Sequence, residues 1–78
     1  MRVQYRLLVA KKDERVEGPD DAEIVVTAPL DVVVGDEFDA TVEFMRGRLK
    51  ASGHTGEILA LLHSGAVDDA LRRLLAAV

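Results

Sequence analysis

The side chains in this sequence that can do acid–base, nucleophilic or metal chemistry are few and scattered. His54 lies in a glycine-flanked turn, and His63 lies near a predicted helix end, where a protonated imidazole complements the helix dipole. Ser52 and Ser64 are better explained as turn or cap residues, because no base and orienting acid accompany them at a recognisable spacing. The motifs HExxH, GxxxxGK[ST], GxGxxG and GxSxG are absent. The sequence therefore predicts no enzyme activity, no catalytic residue, no metal site and no cofactor.

A basic triplet, Arg46, Arg48 and Lys50, is the charged feature with the most coherent predicted geometry. Arg48 and Lys50 are two residues apart in a predicted strand and are expected on the same face. This pattern is compatible with an anionic lipid headgroup, a membrane surface or the acidic half of a second subunit, and also with a plain solvated strand face. The acids at positions 36, 37 and 39 are interpreted as solvated loop residues rather than as a catalytic pair.

The charge of the chain is unevenly distributed along the sequence. Residues 13–43 hold eleven acids and one base, whereas the remainder holds nine bases and three acids. A chain divided in this way can dock on itself or on a partner through opposite charges, and its acidic part argues against nucleic acid as a ligand.

The length and composition predict one small α+β domain, residues 1–78. A chain of 78 residues hides only about 60% of its unfolded surface, so help from a homodimer partner is expected. Cysteine is absent, which excludes disulfides and makes the cytoplasm the default location. No signal peptide is recognisable, and no apolar run approaches the roughly 20 residues of a membrane span, so stable membrane insertion is not expected.

Hydrophobic periodicity predicts a small, mostly antiparallel sheet of three to four strands, covered by helices. Residues 2–11 alternate with period two, residues 15–17 can extend a second strand, and residues 22–28 read as a strand covered on both faces. A further short strand follows Gly47, with a basic outer face.

Helices are predicted between and after these strands. Pro29 is suited to open a short turn or helix, and Asp36 or Asp39 can cap the next helix. Thr55 is predicted to cap a third helix. The apolar face of the third helix is expected to consist of Ile58, Leu59 and Leu62. In the preceding helix, the residues at helical spacing are Phe38, Thr41, Val42 and Met45. The apolar stripe of the last helix is expected to consist of Val67, Ala70, Leu71, Leu74, Leu75 and Val78.

The segment from residue 22 to residue 62 resembles the C-terminal half of sterol carrier protein type 2 domains, especially the short bacterial members. The resemblance rests on a strand ending in Thr27-Ala-Pro29, on FMRGRLKASG over residues 44–53, and on the apolar stretch GEILALL that follows. Two glycines, a Phe-Met pair and a Leu-Lys strand at fixed spacing make this motif moderately specific.

The resemblance implies a module that binds sterols, fatty acids or acyl lipids without catalysing a reaction. Carried over to this sequence, Phe44 and Met45 are expected beside the cavity, Leu49 is expected to point toward it, and Ile58, Leu59 and Leu62 are expected to form its helical wall. Each of these positions is also compatible with an ordinary core role.

The chain lacks an N-terminal helix and one or two strands of the usual family domain, so a second copy is expected to complete the cavity. The alternative from another class is a non-enzymatic interaction or dimerisation module that has lost the cavity and docks through residues 67–78.

Overall fold

The computed structural model describes residues 2–78, which form a four-stranded mixed sheet and four helices. This arrangement confirms the predicted α+β class. The strands are β1 (Val3–Ala10), β2 (Asp13–Glu17), β3 (Ile24–Pro29) and β4 (Lys50–Ser52), and the helices are α1 (Leu30–Val33), α2 (Ala40–Met45), α3 (Thr55–Ser64) and α4 (Ala66–Ala76).

The strands are ordered β2-β1-β3-β4, with two antiparallel pairings at the edges and one parallel pairing in the middle. The β1–β2 hairpin contains a register shift between Leu8 and Ala10. In the parallel pairing, Tyr5 is opposite Val26 and Leu7 is opposite Ala28. Two of the three pairings are therefore antiparallel, as expected, although the two longest strands, β1 and β3, run in the same direction.

The connection from β2 to β3 crosses β1, because these two strands lie on opposite sides of it. Gly18 begins the crossing with φ of 111°, and a Cβ added there would lie 2.3 Å from the Val3 carbonyl oxygen. Gln4 is only 1% exposed because the crossing segment covers it, and its Nε2 donates to the Pro19 carbonyl at 3.2 Å. The close approach of two backbones at this point requires glycine.

The core lies between one face of the sheet and the helices. Leu7, Ile24 and Ala28 are fully buried on that face, and α4 supplies Ala70 and Leu71, which are also fully buried. Helix α4 packs mainly on β1 and also touches β2, while α1 packs on β1 and β3. The opposite face of the sheet is only partly covered, so the prediction that β3 is covered on both faces is wrong: its side chains alternate between buried and half-buried.

The apolar faces of the two middle helices differ from those predicted. In α2, the fully buried residue is Ala40 and Phe44 packs against the core, whereas Val42 and Met45 are exposed. In α3, Ile58 and Leu62 are buried, but Leu59 is 43% exposed. These corrections have one reason: each helix is anchored through one narrow stripe, and a residue one position away is rotated by about 100°.

The uneven charge distribution is partly neutralised by ion pairs within the chain, which join four of the eleven acids of residues 13–43 to bases outside that segment. The ion pairs Arg2–Asp21, Arg6–Glu14, Arg48–Glu43 and Arg73–Glu17 each join a base outside residues 13–43 to an acid within them. Arg72 donates to the Phe38 carbonyl at 3.3 Å and Asp68 accepts from the Ala40 amide at 3.2 Å, so α4 holds the start of α2. The chain thus docks on itself through opposite charges, one of the outcomes predicted from the sequence.

A candidate binding groove on the uncovered sheet face

The sheet face opposite the helices combines apolar and charged side chains. Val16, Arg6, Thr27 and Lys50 occupy one row across the four strands, because Arg6 is paired with both Val16 and Thr27, and Thr27 is paired with Lys50. Leu8 belongs to the next row, beside Pro29. Leu8 is 38% exposed and Val16 is 43% exposed, so this face presents apolar surface to solvent.

A groove with a volume of about 420 Å³ lies where this face meets α1 and the end of α2. Leu8, Pro29 and Val32 supply its apolar surface, and Thr27 contributes a hydroxyl and a methyl group. The remaining lining residues are Asp31, Gly47, Arg48 and Lys50. The groove is therefore apolar along its length and charged along one edge.

A second hollow, of about 450 Å³, lies beside the first and shares Leu8, Pro29 and Asp31 with it. Its other lining residues are Val9, Leu30 and Val34, and Val34 is 53% exposed. The two hollows meet at the end of the β1–β3 pairing, where Pro29 turns the chain from the strand into α1. Together they form one apolar surface around Pro29.

The charges at the groove differ in how they are already used. Arg48 Nε lies 2.8 Å from Glu43 Oε2, and the Glu43 side chain is only 13% exposed, so this guanidinium is held by a nearly buried carboxylate. The backbone amides of Arg48 and Leu49 both donate to the Glu43 carbonyl, which fixes the turn from α2 into β4. Lys50 is exposed, and within residues 2–78 no acid lies within ion-pair distance of its ammonium group.

The six residues expected to line a ligand cavity occupy three different environments. Leu49, Ile58 and Leu62 are between 1% and 4% exposed and belong to the core, and Phe44 is half-buried against it. Met45 is 80% exposed and Leu59 is 43% exposed, on the outside of their helices. None of the six lines either hollow. The structure thus brings three of them together in the core rather than around open space.

Of the groove residues that were not predicted from the sequence, Leu8 has a recognisable sequence signal. Leu8 interrupts the polar side of β1, where Arg2, Gln4 and Arg6 alternate with the apolar residues that enter the core. A leucine on the solvent side of a strand indicates local cover or a binding surface. The contribution of Val32 and Pro29 had no comparable signal, because it depends on how α1 packs beside the end of the sheet.

The C-terminal helix buries most of its apolar stripe, although Val78, which follows the helix, is 55% exposed. Val67, Ala70 and Leu71 are at most 1% exposed and Leu74 is 8% exposed, because α4 packs on β1 within the same chain. The surface on which the interaction-module alternative depended is therefore largely buried by the sheet.

Comparisons of this chain with models of protein families, with curated proteins and with solved structures gave no match.

Proposed function

We propose that this protein binds an apolar or amphiphilic small molecule, such as a fatty acid, a sterol or an acyl lipid, without catalysing a reaction on it. The observation that carries this proposal is the open apolar groove formed by Leu8, Pro29 and Val32 on a sheet face that the helices leave uncovered. Its volume of about 420 Å³ lies within the range of small-molecule sites. The resemblance of residues 22–62 to sterol carrier protein type 2 domains supports the same class of ligand.

The charged edge of the groove favours a ligand with an anionic head. Lys50 lines the groove and has no acidic partner among residues 2–78, so its ammonium group is free to bind a carboxylate or a phosphate. Arg48 adds a second positive group, although Glu43 already holds it. An apolar chain along Leu8 and Pro29, with its head at Lys50, satisfies both parts of the groove.

The open side of the groove supports a role for a second copy of the chain. A ligand lying on this face keeps one side in water, and a partner that covers the face removes that side from solvent and adds apolar contact. We infer a homodimer in which the uncovered faces contribute to a shared site. The absence of cysteine supports a cytoplasmic location for it.

The proposal is tested by displacement of a fluorescent fatty acid from the purified, delipidated protein. The variant Leu8→Asp places a negative charge in the groove and is expected to weaken probe binding by at least about tenfold, because apolar contact is lost and the new carboxylate repels the fatty-acid head. Val78→Asp is the matched control: Val78 is an exposed apolar residue that follows α4, lies outside the sheet face and lines neither hollow. Its affinity is expected to stay within about twofold of the parent.

Absence of probe binding to the parent protein, or an equal loss in both variants, would contradict the proposed groove. Native mass spectrometry of the parent with bound fatty acid shows whether the ligand is held by one chain or by two, and so tests the dimer separately.

A further inference from the structure

The turn that joins α2 to β4, residues 45–50, carries the most exposed large apolar side chain that the structure describes. Met45, the last residue of α2, is 80% exposed. Val42 lies three residues earlier on the same side of the helix and is 38% exposed. Gly47 follows with φ of 78°, and a Cβ placed there would have no neighbour within 4 Å, so the turn is open to solvent at this residue.

Three exposed cations follow Met45 within five residues. The side chains of Arg46 and Arg48 are 62% and 52% exposed, and Lys50 is also exposed. Two acids lie on the same side: Glu43, which is nearly buried beneath both arginines, and Asp31 in the groove. The three cations are therefore exposed at the surface, whereas Glu43, the acid that pairs with both arginines, is shielded from solvent.

Charge is also graded along α2. Asp36, Glu37 and Asp39 precede its first residue, and the cations follow its last residue. The chain as a whole carries a formal charge of −4. A negatively charged surface therefore attracts the end of α2 and repels the start, which orients the molecule with residues 45–50 foremost.

We propose that the α2–β4 turn docks this protein reversibly on a lipid bilayer that contains anionic headgroups, with Met45 inserted between the headgroups and Arg46, Arg48 and Lys50 above them. Exposed apolar side chains flanked by Lys and Arg are the pattern of interfacial binding. Gly47, Arg48 and Lys50 also line the groove, so docking places the groove opening at the membrane surface. In this respect the inference rests on the proposed function, because the bilayer is then the source and the destination of the ligand.

The shape of the turn favours a bilayer over a protein partner. A stable protein interface buries at least about 1,000 Å² in total. One methionine and part of one valine on α2 offer far less apolar surface than such an interface needs. A bilayer accepts a single inserted side chain, and its anionic headgroups satisfy the surrounding cations without a shaped complementary surface.

The test is sedimentation of the full chain with sucrose-loaded vesicles made of equal parts phosphatidylcholine and phosphatidylglycerol. Met45→Ser is expected to lower the partition coefficient about tenfold through loss of apolar insertion. Arg46→Glu, at a residue outside the groove, is expected to lower it by at least about fivefold, and high salt is expected to weaken parent binding. The matched controls are Val78→Ser, at an apolar residue that is 55% exposed, and Lys12→Glu, at an exposed cation of the hairpin.

Equal losses in the test and control variants, or no binding of the parent to these vesicles, would overturn the docking proposal. Self-association that Met45→Ser abolishes, without vesicle binding, would assign the turn to a second copy instead and also overturn it. Displacement of the fluorescent fatty acid, measured without vesicles, tests ligand binding in the groove independently of membrane docking. Arg46→Glu is expected to keep parent affinity there, and loss of affinity in Met45→Ser would place Met45 in the ligand site, contrary to the docking role.

Discussion

At the scale of single residues, the crossing of β1 by the β2–β3 connection depends on Gly18. Its φ of 111° lies where side chains are strained, and any Cβ there meets the Val3 carbonyl oxygen at 2.3 Å. The backbone must move to relieve this contact, and the movement disturbs the segment that buries Gln4. The parallel pairing of β1 with β3 therefore depends on the absence of a side chain at this position.

Gly18→Ala is expected to lower the free energy of unfolding by about 2 kcal/mol or more, because strained backbone and displaced neighbours add together. Urea denaturation followed by circular dichroism measures this change. Gly35→Ala is the control, since a Cβ at Gly35 meets nothing within 4 Å and its φ is not positive. A similar change in both variants would show that the close approach at Gly18 is not a constraint.

From the residue types, one basic residue of the candidate groove was identified, but the apolar residues that line the groove were not. Lys50 was identified as part of an exposed basic feature, and the structure places it at the groove edge. Leu49, Ile58 and Leu62 have the composition of a pocket wall but fill the core. Apolar residues that line a cavity and apolar residues that close it have the same sequence pattern, so periodicity does not separate the two roles.

At the scale of elements, α2 shows how a short helix is held by its surroundings. Its six residues are too few for independent stability in water. Asp39 Oδ1 accepts hydrogen bonds from the amides of Thr41 and Val42, at 3.0 and 3.3 Å, and Asp68 of α4 accepts from the Ala40 amide. Three amides at the start of α2 are thus bound by two carboxylates from different parts of the chain.

Asp39→Ala is expected to destabilise the protein by about 1 kcal/mol, the usual effect of removing a side-chain cap. The measurement is the urea midpoint at neutral pH, and Asp39→Asn should recover most of the loss because its amide oxygen still accepts the two hydrogen bonds. The control is Asp36→Ala, which removes the same charge from the same loop without removing a cap. If Asp36→Ala were equally damaging, the effect would be due to charge rather than capping.

The elements themselves follow local signals of different strength. The period-two alternation predicted β1 correctly, and Pro29 predicted the boundary between β3 and α1 correctly. Strand alternation and proline geometry act within a few residues, so local sequence is enough to place both features. Of the apolar face predicted for α2, Phe38 is buried just before the helix begins, but the prediction is wrong for Val42 and Met45, which are exposed. A six-residue helix offers only one or two positions to the core, and neighbouring α3 and α4 decide which of them are used.

At the scale of the whole molecule, ion pairs join the basic and acidic parts of the chain. The pair between Arg73 of α4 and Glu17 of β2 spans 56 positions in sequence, with hydrogen bonds of 3.2 and 2.7 Å. These hydrogen bonds from Arg73 lower the pKa of the Glu17 carboxyl, partial burial opposes the shift, and the Arg73 charge adds to the lowering. The pair therefore stabilises the packing of the last helix on an edge strand when Glu17 is ionised.

This shift predicts a dependence of stability on pH. Because the folded-state pKa of Glu17 is below its unfolded value of about 4.3, its contribution is present above that value and is lost as pH falls through the lower folded pKa. In Glu17→Gln, the fall in urea midpoint between about pH 5 and pH 3 should be shallower than in the parent. The effect is expected to be small, since the Glu17 side chain is 37% exposed.

Arg73→Gln provides the reciprocal control for this pair. It should flatten the same part of the pH profile, and the double variant should add nothing further, because either change removes the pairing. Identical slopes in the parent and in Glu17→Gln would show that the pair does not contribute to acid stability.

The principal extents of the molecule are 28, 27 and 19 Å, and the shortest corresponds to one layer of sheet packed on one layer of helices. None of the helices described between residues 2 and 78 has the length and apolarity needed to cross a membrane, the longest having eleven residues. The docking proposed for residues 45–50 engages the membrane interface through one apolar side chain and three cations, for which we expect reversible contact.

The sequence by itself determined the fold class, the position of β1 and the turn at Pro29, because these depend on periodicity and on backbone preferences acting over a few residues. Tertiary structure decided which apolar residues are buried and which surround open space. Leu8 is separated in sequence from Pro29 and Val32 and meets them only because β3 pairs parallel to β1 and places α1 beside the end of that strand. The direction of that pairing depends on a crossing over β1 that local patterns do not encode, so the groove appears only when the strands are assembled.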